Sequence, residues 1–232
     1  MLHFSPDELT AIGLSVKVAA VAAIASLLPA IAVAWLLARR RFFGRTVLDA
    51  LVHLPLVLPP VVIGYALLIT MGTRGVVGAW LLEQWGIRLA FRWTGAALAC
   101  AVMGFPLMVR AIRLSIEQVD RRLEHAAATL GAPPWKVFLT ITLPLAWPGL
   151  VAGAVLAFAK ALGEFGATIT FVSNIPGQTQ TMSAAIYSLL QVPGGEHGIW
   201  RLAAVSLGIS LGALVLSEWL VRRQRGHEAE VL

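Results

Sequence analysis

The stretch EHAAATLGAPPWKVFLTITLP, residues 124–144, interrupts with polar, glycine- and proline-bearing sequence a chain that is 58% hydrophobic. From about Ser115 to Leu130 the residues suit a helix. Gly131 stands where a left-handed residue would stop that helix, and Pro133 and Pro134 suit the first turn of a second one. The spacing therefore predicts a short helix, a sharp turn and another short helix running to Pro144. Ala126, Ala127 and Ala128 leave one side of the first helix nearly flat, while Glu117, Asp120, Arg121, Arg122 and Glu124 charge its flanks. A flat face edged with charge suits a helix that lies in another protein's groove; a solvated loop helix has the same composition.

Outward from this interval the chain turns apolar. A mean hydropathy of +0.80 with 13% charged residues does not suit a water-facing surface. The hydrocarbon core of a bilayer, about 30 Å thick, needs about 20 consecutive apolar residues in helix. Five runs meet that need, at about 12–38, 47–71, 93–112, 145–172 and 200–221. Two shorter pieces, VVGAWLL at 76–82 and TMSAAIYSLL at 181–190, fall short of a span and read as interfacial or re-entrant helices. Counting one of them as a span gives the alternative of six. The fold class is all-α: one polytopic transmembrane helix bundle over 1–232, with a cytoplasmic loop at about 113–144.

Charge sets the orientation. The segments 39–46, 110–136 and 222–232 carry twelve Lys and Arg against four in the opposite connections, which places the first set in the cytoplasm, the N-terminus outside and the C-terminus inside. Tryptophans agree: Trp80, Trp85, Trp93 and Trp200 fall near the outer boundary, and Trp35, Trp135, Trp147 and Trp219 near the inner one. Asp7 and Glu8 precede the first apolar run and Arg39, Arg40, Arg41 and Arg45 follow it, the reverse of a signal peptide, so the first helix reads as retained. The net charge of +6 is accounted for by this asymmetry and does not call for nucleic acid.

Within the runs, Pro55, Pro59 and Pro60 remove backbone donors and force a break or kink in the second span. Lys160 and Glu164 stand one turn apart in the fourth, where they either pair structurally or serve as a gate. Thr168, Thr170, Ser173 and Asn174 supply uncharged donors that either pass a tetrahedral dianion without trapping it or bond back to helix carbonyls. Lys17 is expected to snorkel outward, and Cys100 is a small apolar residue inside the third span. No lysine is followed by Ser or Thr, so no phosphate-cradling loop of the form GxxxxGK is present. His3, His53, His125, His197 and His227 have no ligand-like spacing. The chain thus offers no catalytic residue, no metal site and no cofactor of its own, and its energy comes from a partner or an ion gradient.

The spacing Ala126–Ala127, Gly131, Ile141, Leu143–Pro144 resembles the EAA motif of ABC importer permeases, EAAxxxG followed nine residues later by IxLP. Here the acidic position falls on His125, with Glu124 one residue earlier. The segments HLPLVLPPVVIG (53–64), KALGEFGATITFVSNIPG (160–177) and QTQTMSAAIYSLLQVPGG (178–195) are similar to the molybdate branch of that family, with sulfate and thiosulfate permeases as near relatives. The resemblance covers nearly the whole chain. It implies docking of an ATP-binding subunit through Glu124, His125, Ala126, Ala127, Gly131, Ile141, Leu143 and Pro144. It also implies a homodimeric pore in a bacterial inner membrane, two copies of the ATP-binding subunit in the cytoplasm, and a periplasmic oxyanion-binding protein outside. ATP would be bound by the partner, and molybdate, with tungstate, would be carried. The rival class, a secondary transporter, would show ten or more spans built from inverted repeats.

Overall fold

The computed structural model describes residues 4–229, with side chains described as far as Val221. Among the described residues every regular element is helical. The tail cations Arg222, Arg223 and Arg225, and His3 and His227, have side chains outside the described residues.

Helix α1, Pro6–Arg39, begins six residues before the apolar run because of a capping box: the Glu8 amide donates to Ser5 Oγ at 3.2 Å, and the Ser5 amide to Glu8 Oε2 at 2.7 Å. Asp7 and Glu8, read as polar leader, therefore occupy the first turn, where the helix dipole favours negative charge. Ala11, Ser15, Val18, Ala22, Ser26, Ala30 and Ala34 are buried along one stripe, a small-residue face that lets the helices Trp93–Gln118 and Trp147–Leu162 approach closely.

The second apolar run is two helices, α2 (Arg45–Val57) and α3 (Pro60–Met71), whose axes differ by 113° across Leu58 and Pro59. The prolines thus produce a turn past a right angle, the break rather than the kink of the two outcomes expected. Helix α3 lies so close on α10 that a Cβ at Gly64 would stand 2.5 Å from the Ala167 carbonyl oxygen. Helix α4, Val76–Trp85, is short as expected.

Helix α5, Trp93–Gln118, is the hub. It packs on α1, α9 and α10, and 61% of its apolar window is buried, against 6% for the last helix. Helix α6 (Arg121–Thr129) and helix α7 (Pro134–Val137) follow. A π-helical turn, Phe138–Thr142, and helix α8, Leu143–Leu145, lead to a 69° bend before α9, Trp147–Leu162. The fourth apolar run does not continue to residue 172 as one helix: it breaks after α9 and resumes as α10, Gly166–Val172. Helix α11, Met182–Leu189, is short, and α12, Glu196–Ala229, closes the fold. Arg201 of α12 donates to Glu8 of α1 at 2.7 Å, joining the first and last long helices.

Among the described residues three helices are continuous, long and apolar enough to cross a bilayer, and counting each of two bent pairs as one span gives five. Two buried clusters fill the interior. One gathers the first half of α1 with α5, α10 and α11; the other gathers the second half of α1 with α5 and α9. The apolar faces of α2, α3 and α12 remain exposed, Val57 at 81% and Tyr65 at 58%, as suits contact with lipid or another chain.

Candidate functional site

Local chemistry builds the helix pair α6–α7. The helix expected from Ser115 to Leu130 is divided, because Val119 turns extended and Asp120 caps a new start, its Oδ1 accepting the Arg122 amide at 2.9 Å. At the far end Gly131 has φ +86°. The Ala132 amide donates to the Ala127 carbonyl at 3.1 Å and the Gly131 amide to that of Ala128 at 3.0 Å, the paired bonds of a Schellman stop. Pro133 then caps α7, with Pro134 at its first position.

The pair presents two different faces. On one, Leu123, Ala126, Ala127 and Leu130 of α6 face Ile141 and Pro144 across an apolar groove of about 480 Å³. Leu130 is 89% exposed and Leu123 49%, a surface that demands covering. On the other face Glu124 turns inward: its Oε1 accepts hydrogen bonds from Arg39 Nε at 3.2 Å and from the Thr142 hydroxyl at 2.6 Å. Arg39 also donates to the Val119 carbonyl at 3.1 Å, so one guanidinium and one carboxylate tie the end of α1 to α6 and the π turn. Of the residues read from sequence, His125, Ala126, Gly131 and Pro144 are exposed and Ala127 and Ile141 half-buried, while Leu143 packs against the inner core. Sequence reasoning did not single out Leu123, Leu130, Arg39 or Thr142. The spacing Leu123, Ala127, Leu130 would have revealed the leucines, since it is one helical stripe; nothing local reveals that Arg39 meets Glu124.

The interruption between α9 and α10 is held by charge. Lys160 Nζ donates to Glu164 Oε2 at 2.6 Å, and Glu164 Oε1 accepts the Ala167 amide at 3.1 Å, acting as a cap for α10. The Glu164 side chain is 1% exposed and that of Lys160 32%. The Thr168 and Thr170 hydroxyls bond back, to the Phe165 carbonyl at 2.9 Å and the Gly166 carbonyl at 2.8 Å. Ser173 has φ +65° and an exposed side chain, and its carbonyl accepts the Thr179 hydroxyl at 3.3 Å. Asn174 Nδ2 donates to Ser188 Oγ at 2.7 Å, fastening the loop to α11. The chain places these six residues along the interrupted fourth apolar run, from the end of α9 through α10 to the loop after it, apart from the α6–α7 pair. Lys17 does not simply reach for water: its ammonium lies 3.7 Å from the centroid of the Trp93 ring. Among the described residues no three His, Cys, Asp or Glu side chains gather to hold a metal.

The chain was compared with known proteins. A family described as binding-protein-dependent transport system inner membrane component matches residues 30–226. The chain is 58% identical over 218 residues to the molybdenum transport system permease protein ModB of Escherichia coli, covering 94% of this chain and 95% of that one. It is 38% identical over 197 residues to the sulfate transport system permease protein CysT of Escherichia coli, covering 84% of this chain and 71% of that one. Among solved structures, a bacterial alginate ABC transporter in complex with an alginate pentasaccharide-bound periplasmic protein aligns with TM-score 0.68 and 20% identity, over 93% of this chain and 77% of that one. At that identity the likeness speaks for the fold.

Proposed function

We propose a function for a chain that belongs to the family of binding-protein-dependent transport system inner membrane components: it is the membrane-spanning permease subunit of an ATP-driven importer that carries molybdate across the inner membrane. The observation that carries this reading is the identity of 58% with a molybdenum permease, sustained over 94% of the chain and well above the 38% with a sulfate permease. Tungstate, a dianion of the same shape, is carried by the same route.

Two copies of the chain form the pore, with N-termini in the periplasm and C-termini in the cytoplasm. Two copies of an ATP-binding subunit dock beneath, and ATP is bound there; a periplasmic oxyanion-binding protein delivers the anion above. The docking surface is the α6–α7 pair. The exposed leucines and alanines supply the apolar contact, His125, Gly131 and Pro144 border it, and Glu124 holds the pair to the membrane body. Closure of the ATP-binding subunits pushes α6 and α7. Through the Arg39–Glu124–Thr142 link the push reaches α1 and α9, whose tilt opens the cavity outward.

Lys160, Glu164, Thr168, Thr170, Ser173 and Asn174 form the gate along the interrupted fourth span. Glu164 neutralises Lys160, so the dianion meets no isolated positive charge deep enough to trap it, and release stays fast. Thr168 and Thr170 hold the shape of α10, while Ser173 and Asn174 present polar groups at its end. The test is uptake of labelled molybdate, with sulfate in excess, by cells that lack their own permease and express this chain with its neighbours. Uptake resistant to sulfate is expected, and uptake abolished by equimolar sulfate would reassign the cargo.

A further inference from the structure

Helix α6 has a second cavity, on the side opposite its exposed leucines. It is an open groove of about 330 Å³ bordered by the end of α1, by α6, by α7 and by the π turn. Arg39, Arg40, Arg121 and His125 line it against a single carboxylate, Glu124. That carboxylate is already engaged by Arg39 and Thr142. Among the described residues no carboxylate pairs with Arg40 or Arg121. The Arg40 guanidinium rests 5.3 Å from the centroid of the Trp35 ring, which meets Phe138 edge-on at 5.8 Å. Arg40 and Arg121 are both exposed residues lining the same cavity, so an anion that enters it can meet both guanidinium groups, and phosphate oxygens suit their planar forks.

We propose that this cavity binds the phosphate of an anionic phospholipid headgroup, bridging Arg40 of α1 and Arg121 of α6. Two features favour a lipid over a free anion. Trp35 carries the amphipathic ring that lies at headgroup level in membrane proteins. Phe42 and Phe43, 38% and 106% exposed, follow Arg39, Arg40 and Arg41 in the chain and offer apolar surface to the acyl region. A basic pocket between helices at the end of a span is the form such headgroup sites take. The bound headgroup adds a second tie between α1 and the docking helix, in parallel with Glu124, so the stiffness of the push transmitted by α6 depends on the lipid. The inference rests on the helix arrangement and not on the identity of the transported anion.

The test compares the assembled transporter and the full chain alone, each reconstituted in phosphatidylcholine with and without phosphatidylglycerol, and counts retained phosphatidylglycerol by native mass spectrometry. The double variant Arg40→Gln with Arg121→Gln is expected to lower retention about tenfold. Its control, Arg41→Gln with Arg122→Gln, removes the same charge from the same two segments outside the cavity and is expected to retain lipid as the parent does. Equal loss in both variants, or loss in neither, overturns the proposal. So does retention of inorganic phosphate by the lipid-stripped protein with no effect of the first variant on phosphatidylglycerol, which would make the site one for a free anion. Loss of the lipid from the assembled transporter alone overturns it as well, since an acidic surface of the ATP-binding subunit would then fill the cavity. None of these readouts needs transport, so they fail or succeed separately from the molybdate reading.

Discussion

The chain stops and restarts a helix in two instructive places, at residues 119–133 and at residues 163–165, and it satisfies the freed backbone groups by opposite means. At the first, nearby residues do the work: Asp120 caps, Gly131 takes the left-handed conformation and Pro134 opens the next helix. Water can reach this region, so each orphan group costs little and short-range signals suffice. At the second, inside an apolar run, the cap is the buried carboxylate of Glu164, and Lys160 balances it. Irregular backbone at that depth persists only where protein groups replace water. The difference teaches that the break on the water side is coded in a few adjacent residues, whereas the one between α9 and α10 is held by a charged pair whose value depends on burial.

The comparison breaks most visibly at Glu164. Glu164→Ala leaves the Lys160 ammonium and the Ala167 amide without their acceptor. Removing one partner of a buried pair costs about 3–5 kcal/mol; the partial exposure of Lys160 moves the expectation to the lower end, about 3 kcal/mol. Thermal unfolding of the purified transporter should register it, with Glu164→Gln losing less, and an unchanged midpoint would mean that packing alone holds the break.

Next in size is Gly131→Val. No atom stands within 4 Å of a Cβ built there, so the cost is the backbone conformation itself at φ +86°, about 1–2 kcal/mol. Because the strain is confined to the turn between α6 and α7, membrane insertion should persist, while the proposed docking role predicts that ATP hydrolysis loses its response to the loaded binding protein. Normal transport by this variant would contradict the coupling role of the pair.

Asp120→Ala removes a cap worth about 1 kcal/mol. Amide exchange in α6 should quicken while α9 and α10 keep their protection. Quickening in all three would show that the two interruptions are not independent.

The smallest effect is expected from Thr170→Val, about 0.5–1 kcal/mol, since its hydroxyl serves a helix carbonyl. Molybdate uptake should stay within about twofold of the parent, a shift that a 0.5 kcal/mol change allows. A drop well beyond that would place the hydroxyl on the route of the anion and sharpen the gate to this turn.

Much of the helix pair was legible because its determinants are adjacent in the chain. Gly131, Pro133 and Pro134 behave as their backbone preferences require, and the short pieces near residues 76 and 182 form short helices because they lack the length to span. The start of α1 was placed late because hydropathy is blind to caps: Ser5 and Glu8 are polar, yet they extend the helix. The α5–α6 division was missed because Glu117–Leu123 has ordinary helix formers, and only the extended turn at Val119 separates two helices there. At the break after α9, spacing pairs Lys160 with Glu164 as the structure does, but it does not show that the second carboxylate oxygen caps a new helix.

By itself the sequence determined the solvent of the protein, the number of apolar runs and the helix–stop–helix chemistry of the α6–α7 pair. These are sums over neighbouring residues, and neighbours are what a sequence lists. Only the tertiary structure decided that α2 and α3 turn by 113°, that Glu124 faces Arg39 from 85 residues away, and that the leucines of α6 stay bare while its basic side closes on a cavity. A long charged side chain has several partners within reach. Which one it takes is settled by the packing of distant helices, through the cost of leaving any charge or amide unpaired away from water.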